Sequence, residues 1–174
     1  MIYDRYIDLL LKYNKTHKLT GSKTKDEVMF HINDSLYPFE KFKDITKVLD
    51  IGTGAGFPGM ILAIKYPKIK FYLVEPLQKR VAFLYLIKST YNLKNVTIIP
   101  KRVEDVESFE VDLITSKAVS SADTLLKISS SFIKKGVKLL LYKGKNVHDE
   151  IKDLTNYEII KNGSLNYLII KVDK

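Results

Sequence analysis

The sequence predicts an α/β fold: a mostly parallel sheet with helices on both faces, an antiparallel C-terminal hairpin, and a short helical extension at the N-terminus. Three observations carry that prediction. From Lys47 onward, short apolar β-branched runs alternate with helical patterns, the mark of a parallel sheet buried on both faces. One of these runs opens directly into three alternating glycines, in VLDIGTGAGFPG at 48–59. The last two β-like runs are joined only by Lys161, Asn162, Gly163 and Ser164, a connection that favours an antiparallel pair.

In chain order, Ile2, Tyr6, Leu9, Leu10 and Tyr13 fall near a 3.6-residue period and predict a first helix, which ends in the polar stretch from Asn14 to Ser22. Thr24 and Glu27 have the spacing of a capping box, Val28, Met29, Ile32 and Leu36 share a face, and Pro38 stands just beyond. A second helix is therefore expected from about residue 25 to 36. Strands are expected at 47–51, 70–74, 95–99, 111–115 and 137–142, with helices at 58–66, 77–91 and 120–133 between them. One more helix is expected after Lys145, then strands at 156–160 and 166–172. The organisation is a single domain, 1–174, made of a helical extension over 1–45 and a cofactor-binding core over 46–174.

The 174 residues include 29 Lys and Arg against 20 Asp and Glu, a formal charge of +9, and no cysteine or tryptophan. A chain of this length buries most of its unfolded surface around one core, so a separate substrate domain is not expected. Without cysteine there are no disulfides, thiolate zinc sites or thiol nucleophiles. No metal is expected. No apolar run approaches the roughly 18 residues of a membrane span, and the N-terminal MIYDRYIDLL has charges within its apolar periodicity, unlike a signal peptide. The expected location is the cytoplasm. Only Arg5, Arg80 and Arg102 are arginines among the basic residues. Such a lysine-rich surface is often no more than solvated, but a basic excess also attracts phosphate backbones regardless of sequence.

The glycines Gly52, Gly54 and Gly56 follow a buried strand and precede Pro58 at a helix start, so the backbone can turn tightly and let a nucleotide approach. Phe57 stands where the dinucleotide fingerprint G-x-G-x-x-G needs its third glycine, which disfavours NAD; no lysine followed by Ser or Thr ends a phosphate-binding loop, which excludes ATP held in that way. Glu75 ends the second strand about 20 residues on, where a carboxylate can accept both ribose hydroxyls. As an acid at a strand end it is expected to matter little for stability.

The pattern D-x-G-x-G-x-G followed by that acid resembles the class I S-adenosylmethionine-dependent methyltransferases, whose sheet is Rossmann-like. The resemblance becomes closer with NKTHKLTGSKTKDEVMFHINDSL (14–36), LDIGTGAGFPG (49–59), LVEPLQKRVAFL (73–84), KRVED (101–105), DLITSKA (112–118) and YKGK (142–145). Together these resemble the bacterial small-subunit ribosomal RNA methyltransferase G family, also called glucose-inhibited division protein B, over nearly the whole chain. The resemblance implies methylation of guanine N7 in 16S rRNA with S-adenosylmethionine as cofactor, 16S rRNA or the small ribosomal subunit as partner, no membrane, and a monomer. N7 suits this chain: it carries no proton, so alignment with a sulfonium methyl group and exclusion of water suffice, and no general base is required.

By position, the resemblance implies cofactor contacts from Gly52, Thr53, Gly54, Gly56 and Phe57, a ribose contact from Glu75, and adenine contacts from the backbone around Val103 and Glu104. Lys117 stands where the family usually has arginine; it keeps the charge and loses the planar fork. It is expected to touch cofactor or RNA. His31, Asp34 and Ser35 share one face of the second helix. With Lys117 they are expected to position the target, although His31 and Asp34 also suit a purely structural brace. The resemblance further implies that a stretch found at the N-terminus of many relatives is missing here. Two other readings stay open: a methyltransferase acting on a small molecule or protein, and a non-catalytic RNA-binding protein with the same fold.

Overall fold

The computed structural model describes residues 1–151 and 154–172. Seven strands form one sheet in the order β3-β2-β1-β4-β5-β7-β6. The strands are β1 (Lys47–Ile51), β2 (Lys70–Val74), β3 (Val96–Ile99), β4 (Leu113–Lys117), β5 (Lys138–Lys143), β6 (Tyr157–Asn162) and β7 (Leu165–Lys171). The first five pair in parallel, while β7 runs antiparallel to both β5 and β6. Strand order reverses between β1 and β4. In such a sheet the crevice above the strand C-termini at this reversal is where ligands bind.

The helices are α1 (Asp4–His17), α2 (Lys25–Leu36), α3 (Gly59–Lys65), α4 (Gln78–Thr90) and α5 (Ala122–Ile128). Helix α2 starts and stops where the sequence says. Thr24 accepts from Glu27 N–H, and Glu27 accepts in turn from Thr24 N–H. Helix α1 ends at His17, within the polar stretch from Asn14 to Ser22 where its end is expected, and the Asn14 side chain does not break it. That side chain donates instead to the carbonyls of Thr20 and Ser22 and accepts from Thr20 N–H, which folds the following loop back.

Three expectations shift. The fourth strand lies two residues later than 111–115, because the Asp112 carboxylate accepts from Thr46 N–H, the Thr46 hydroxyl and Lys47 N–H, bracing the entry to β1. Lys117 thereby becomes the last residue of β4. The helix expected over 120–133 is only two turns long and gives way to a 3-10 turn, Ser130–Phe132, where the Ser129 hydroxyl bonds back to the Leu125 carbonyl. Past Gly144 the chain forms a 3-10 turn, Lys145–Asp149, in place of a helix; residues 152 and 153 lie outside the described residues.

Alternate residues along each strand feed two cores. One face of the sheet packs Val48, Phe71, Leu73, Leu140 and Tyr142 against α1 to α4; the other packs Leu49, Ile51, Leu139 and Leu141 against α5 and Phe132. The N-terminal helices therefore share the core of the first face. Tyr6, fully buried, donates its hydroxyl to the Ala55 carbonyl at 2.8 Å and so fastens α1 to the glycine turn. Among the described residues no helix is long and apolar enough to cross a membrane.

Candidate active site

The glycine turn begins where β1 ends. Gly52 and Thr53 both donate their N–H to the Val74 carbonyl, while Gly56 and Phe57 donate to the Thr53 carbonyl, so the chain reverses within five residues. Gly52, Gly54 and Gly56 all have positive φ. Their surroundings separate their roles. A Cβ on Gly52 would fall 2.5 Å from Val119, and one on Gly56 would fall 2.7 Å from Met60, so these two glycines allow close packing. At Gly54 the nearest atom to such a Cβ is 3.8 Å away, because Gly54 borders open space.

That space is a cavity of about 580 Å³ in the crevice above β1, β2 and β4, within the range usual for small-molecule sites. Gly52, Thr53 and Gly54 form its floor. Glu75, Leu77 and Arg80 close one side and Arg102 reaches it from beyond β3; His31, Phe57 and Lys117 close the other end. Gly56 packs below the turn. Val103 is a core residue and Glu104 is exposed, and the cavity is lined by their neighbour Arg102 instead.

Glu75 is buried, with one oxygen accepting from Gly54 N–H and the other from Leu77 N–H, both at 2.9 Å. Arg80 Nη1 stands 3.5 Å from the first oxygen. Arg80 Nε is buried and has no hydrogen-bond partner among the described residues. The expected small contribution of Glu75 to stability is thus corrected: its carboxylate ties the glycine turn to the start of α4.

Asp50, the acid of the D-x-G-x-G-x-G pattern to which sequence reasoning assigned no role of its own, lies one layer deeper. It is fully buried, accepting from Gly59 N–H through one oxygen and from the Thr115 hydroxyl through the other, both at 2.9 Å. A Cβ on Gly59 would collide with this carboxylate and with Leu73. Burial pushes the Asp50 carboxyl up to about 6, helped by the charge of Glu75 and opposed by Thr115, Gly59 and the Thr53 hydroxyl, which faces it without hydrogen-bond geometry. The signal for Asp50 was present as one acid inside an otherwise apolar strand.

At the other end, Lys117 is largely buried and its Nζ lies 2.5 Å from Asp34 Oδ2, with the Phe57 and Tyr142 rings below 6 Å. It also lies 3.4 Å from His31 Nδ1. Burial lowers the Lys117 pKa, and Asp34 opposes that shift. Burial likewise holds His31 below the ordinary imidazole value, and the nearby ammonium adds to the effect. The His31 ring packs on Phe57 at 5.6 Å. Of the four expected positioning residues, His31 and Lys117 reach the cavity, whereas Asp34 and Ser35 stand behind it. Tyr167 donates its hydroxyl to Asp34 and Tyr142 donates to the Ser35 carbonyl, so α2 is fixed to β5 and β7 by two tyrosines to which sequence reasoning assigned no role, Tyr142 being the first residue of YKGK.

The family model for rRNA small subunit methyltransferase G, GidB, matches residues 2–171. A relative from Wolinella succinogenes named ribosomal RNA small subunit methyltransferase G is 47% identical over 156 residues, covering 90% of this chain and 81% of its own length. The protein of the same name from Aliarcobacter butzleri is 41% identical over 95% of this chain and 87% of its own length. Among solved structures, a putative S-adenosyl-L-methionine-dependent methyltransferase from Methanococcus maripaludis superposes with a TM-score of 0.67 at 17% identity, covering 100% of this chain and 95% of that one. A ribosomal protein L11 methylase from Lactobacillus delbrueckii does so with a TM-score of 0.65 at 12% identity, covering 89% of this chain and 81% of its own. These structures establish the class I methyltransferase fold. The extent of the family match and the identity to curated relatives together place this chain in the rRNA small subunit methyltransferase G family.

Proposed function

We propose that this chain is an S-adenosylmethionine-dependent enzyme that methylates N7 of a guanine in 16S rRNA, acting as a monomer in the cytoplasm. The observation that carries the reading is one cavity that joins two chemistries. At one end lie the glycine turn and Glu75; at the other lie His31 and Lys117, contributed by the N-terminal block and β4.

The residues present fit the cofactor. Each Glu75 oxygen accepts one backbone N–H and keeps lone-pair capacity for a ribose hydroxyl. Arg80 Nε offers an unused donor, Leu77 an apolar surface beside Arg102 for the adenine, and Gly54 the absence of a side chain. Thr53 and Phe57 line the remaining length. When bound, S-adenosylmethionine supplies an electrophilic methyl group on a sulfonium centre.

What this chain contributes is placement. The target guanine leaves its stack to reach a cavity of this kind. His31, kept neutral by burial, and Lys117, held against Asp34, set the wall that the base meets. The N7 lone pair needs no proton removed, so these groups orient the base and exclude water without acting as bases. The excess of nine positive charges holds the RNA through its phosphates.

Incubation of purified protein with methyl-labelled S-adenosylmethionine and small ribosomal subunits or naked 16S rRNA, followed by nucleoside digestion, tests this. The expected product is labelled 7-methylguanosine. Label in another nucleoside, or in none, overturns the reading. Calorimetry should find S-adenosylmethionine binding and no NAD or ATP binding, and Gly54→Val should abolish it, because a β-branched side chain at φ +61 is strained and fills the cavity.

A further inference from the structure

The loop of residues 118–121 between β4 and α5 borders the cavity beside the glycine turn. Ala118 and Val119 line the cavity, and Val119 rests on Gly52. Ala118 has φ +55, a conformation an alanine adopts only when its surroundings impose it. Among the described residues no backbone–backbone hydrogen bond reaches Ala118, Val119 or Ser120. A different device holds the loop. Lys143, the last residue of β5, has a side chain only 8% exposed, and its Nζ donates to the Ser120 carbonyl at 2.7 Å. The same ammonium pairs at 2.7 Å with Glu150, whose Oε2 also accepts from Ala122 N–H at 2.7 Å. The loop is thus gripped on both sides of Ser121, by two side chains that belong to β5 and the turn following it. Neither side chain lines the cavity.

We propose that Lys143 and Glu150 form a positioning clamp that holds the 118–121 loop in the shape that closes the methyltransferase cavity over Gly52. The inference rests on the functional reading above. Both act through Val119, which presents 44% of its surface to solvent and covers the floor without being locked into the core. A buried ammonium that neither touches the ligand nor completes the core is otherwise a cost, and here it and the partly buried Glu150 satisfy a carbonyl and an N–H that the sheet and helix leave over.

Lys143→Met keeps the apolar stem and removes the ammonium. Cofactor affinity measured by calorimetry on the folded variant should fall about tenfold, and methyl transfer should fall by up to about a hundredfold, the scale of a small displacement of a positioned wall. Lys143→Arg should restore most of both. In a Val119→Ala background the Lys143→Met change should have little further effect, because the clamp acts through that side chain. Glu150→Gln, which retains acceptance from Ala122, should show a weaker defect of the same kind and replaces Lys143→Met if that variant does not fold. A Lys143→Met or Glu150→Gln protein that melts earlier yet binds and turns over normally when folded overturns the clamp, as does a loss that multiplies with that of Val119→Ala. If the wild type itself binds no S-adenosylmethionine and modifies no rRNA, the functional reading falls, and the clamp, which is defined by that cavity's ligand, falls with it; normal wild-type activity with unaffected variants overturns the clamp alone.

Discussion

Glu75 and Asp50 are two buried carboxylates 25 positions apart in sequence and one layer apart in space, and they divide the work of shaping the turn. Glu75 holds the turn from the cavity side and Asp50 from below. Glu75→Ala leaves the N–H groups of Gly54 and Leu77 without acceptors and Arg80 without its counter-charge. Unfolding by urea should show a loss of about 2–4 kcal/mol, and calorimetry a loss of cofactor binding on the order of 1.5–3 kcal/mol. Loss of binding with unchanged stability would mean that the turn is held elsewhere. Asp50 behaves in the opposite sense. Its folded-state pKa of about 6 exceeds the ordinary 3.8, so in that window the folded protein holds the proton more tightly and stability falls as pH rises. The full penalty, on the order of 3 kcal/mol, is present above pH 6. Asp50→Asn keeps an acceptor for Gly59 and turns the Thr115 hydroxyl into an acceptor. It should therefore melt at a higher temperature than wild type at pH 8, with the difference closing towards pH 4.

Helix α2 and strand β4 are joined by Lys117 and Asp34, with Tyr142 and Tyr167 securing the helix from β5 and β7. Removing one partner of a buried pair strands the other charge. Asp34→Asn should cost about 3–5 kcal/mol in denaturant titration, and Asp34→Asn combined with Lys117→Met should recover much of that loss while remaining poor in methyl transfer. A double variant no more stable than the single one would show that the pair does not carry the brace. This is also where sequence reasoning ran out. Local signals placed α2 to the residue, because its capping box and its apolar face agree. They placed β4 two residues early, because an apolar run has no internal mark to show that Asp112 turns away to cap β1. The glycines, Glu75 and Lys117 were legible as motifs. Tyr167 on Asp34, 133 positions away, and Tyr142 on Ser35, 107 positions away, were not, since nothing in a local pattern announces a partner on a distant strand.

Across the whole molecule, fixed geometry and diffuse charge do different jobs. The cavity is set by buried groups that salt hardly screens, whereas in the proposed function the positive excess would act on RNA phosphates through solvent. Raising salt from about 50 to 200 mM should weaken binding to small-subunit rRNA by orders of magnitude, and leave the affinity for S-adenosylmethionine within about a factor of two. Filter binding and calorimetry on the same preparation make that comparison. Equal salt sensitivity would place ionic contacts at the centre of cofactor binding, contrary to the cavity described.

The central claim is that the cavity above β1 and β4 delivers a methyl group to guanine N7 in 16S rRNA. Nucleoside mass spectrometry of 16S rRNA from cells with and without the gene, and from cells carrying Gly54→Val, tests it most directly. The account predicts one 7-methylguanosine per 16S molecule that depends on the gene, is missing from both the deletion and the variant, and returns with the wild-type copy. An unchanged 7-methylguanosine content in the deletion, or the loss of a different modified nucleoside, would contradict it.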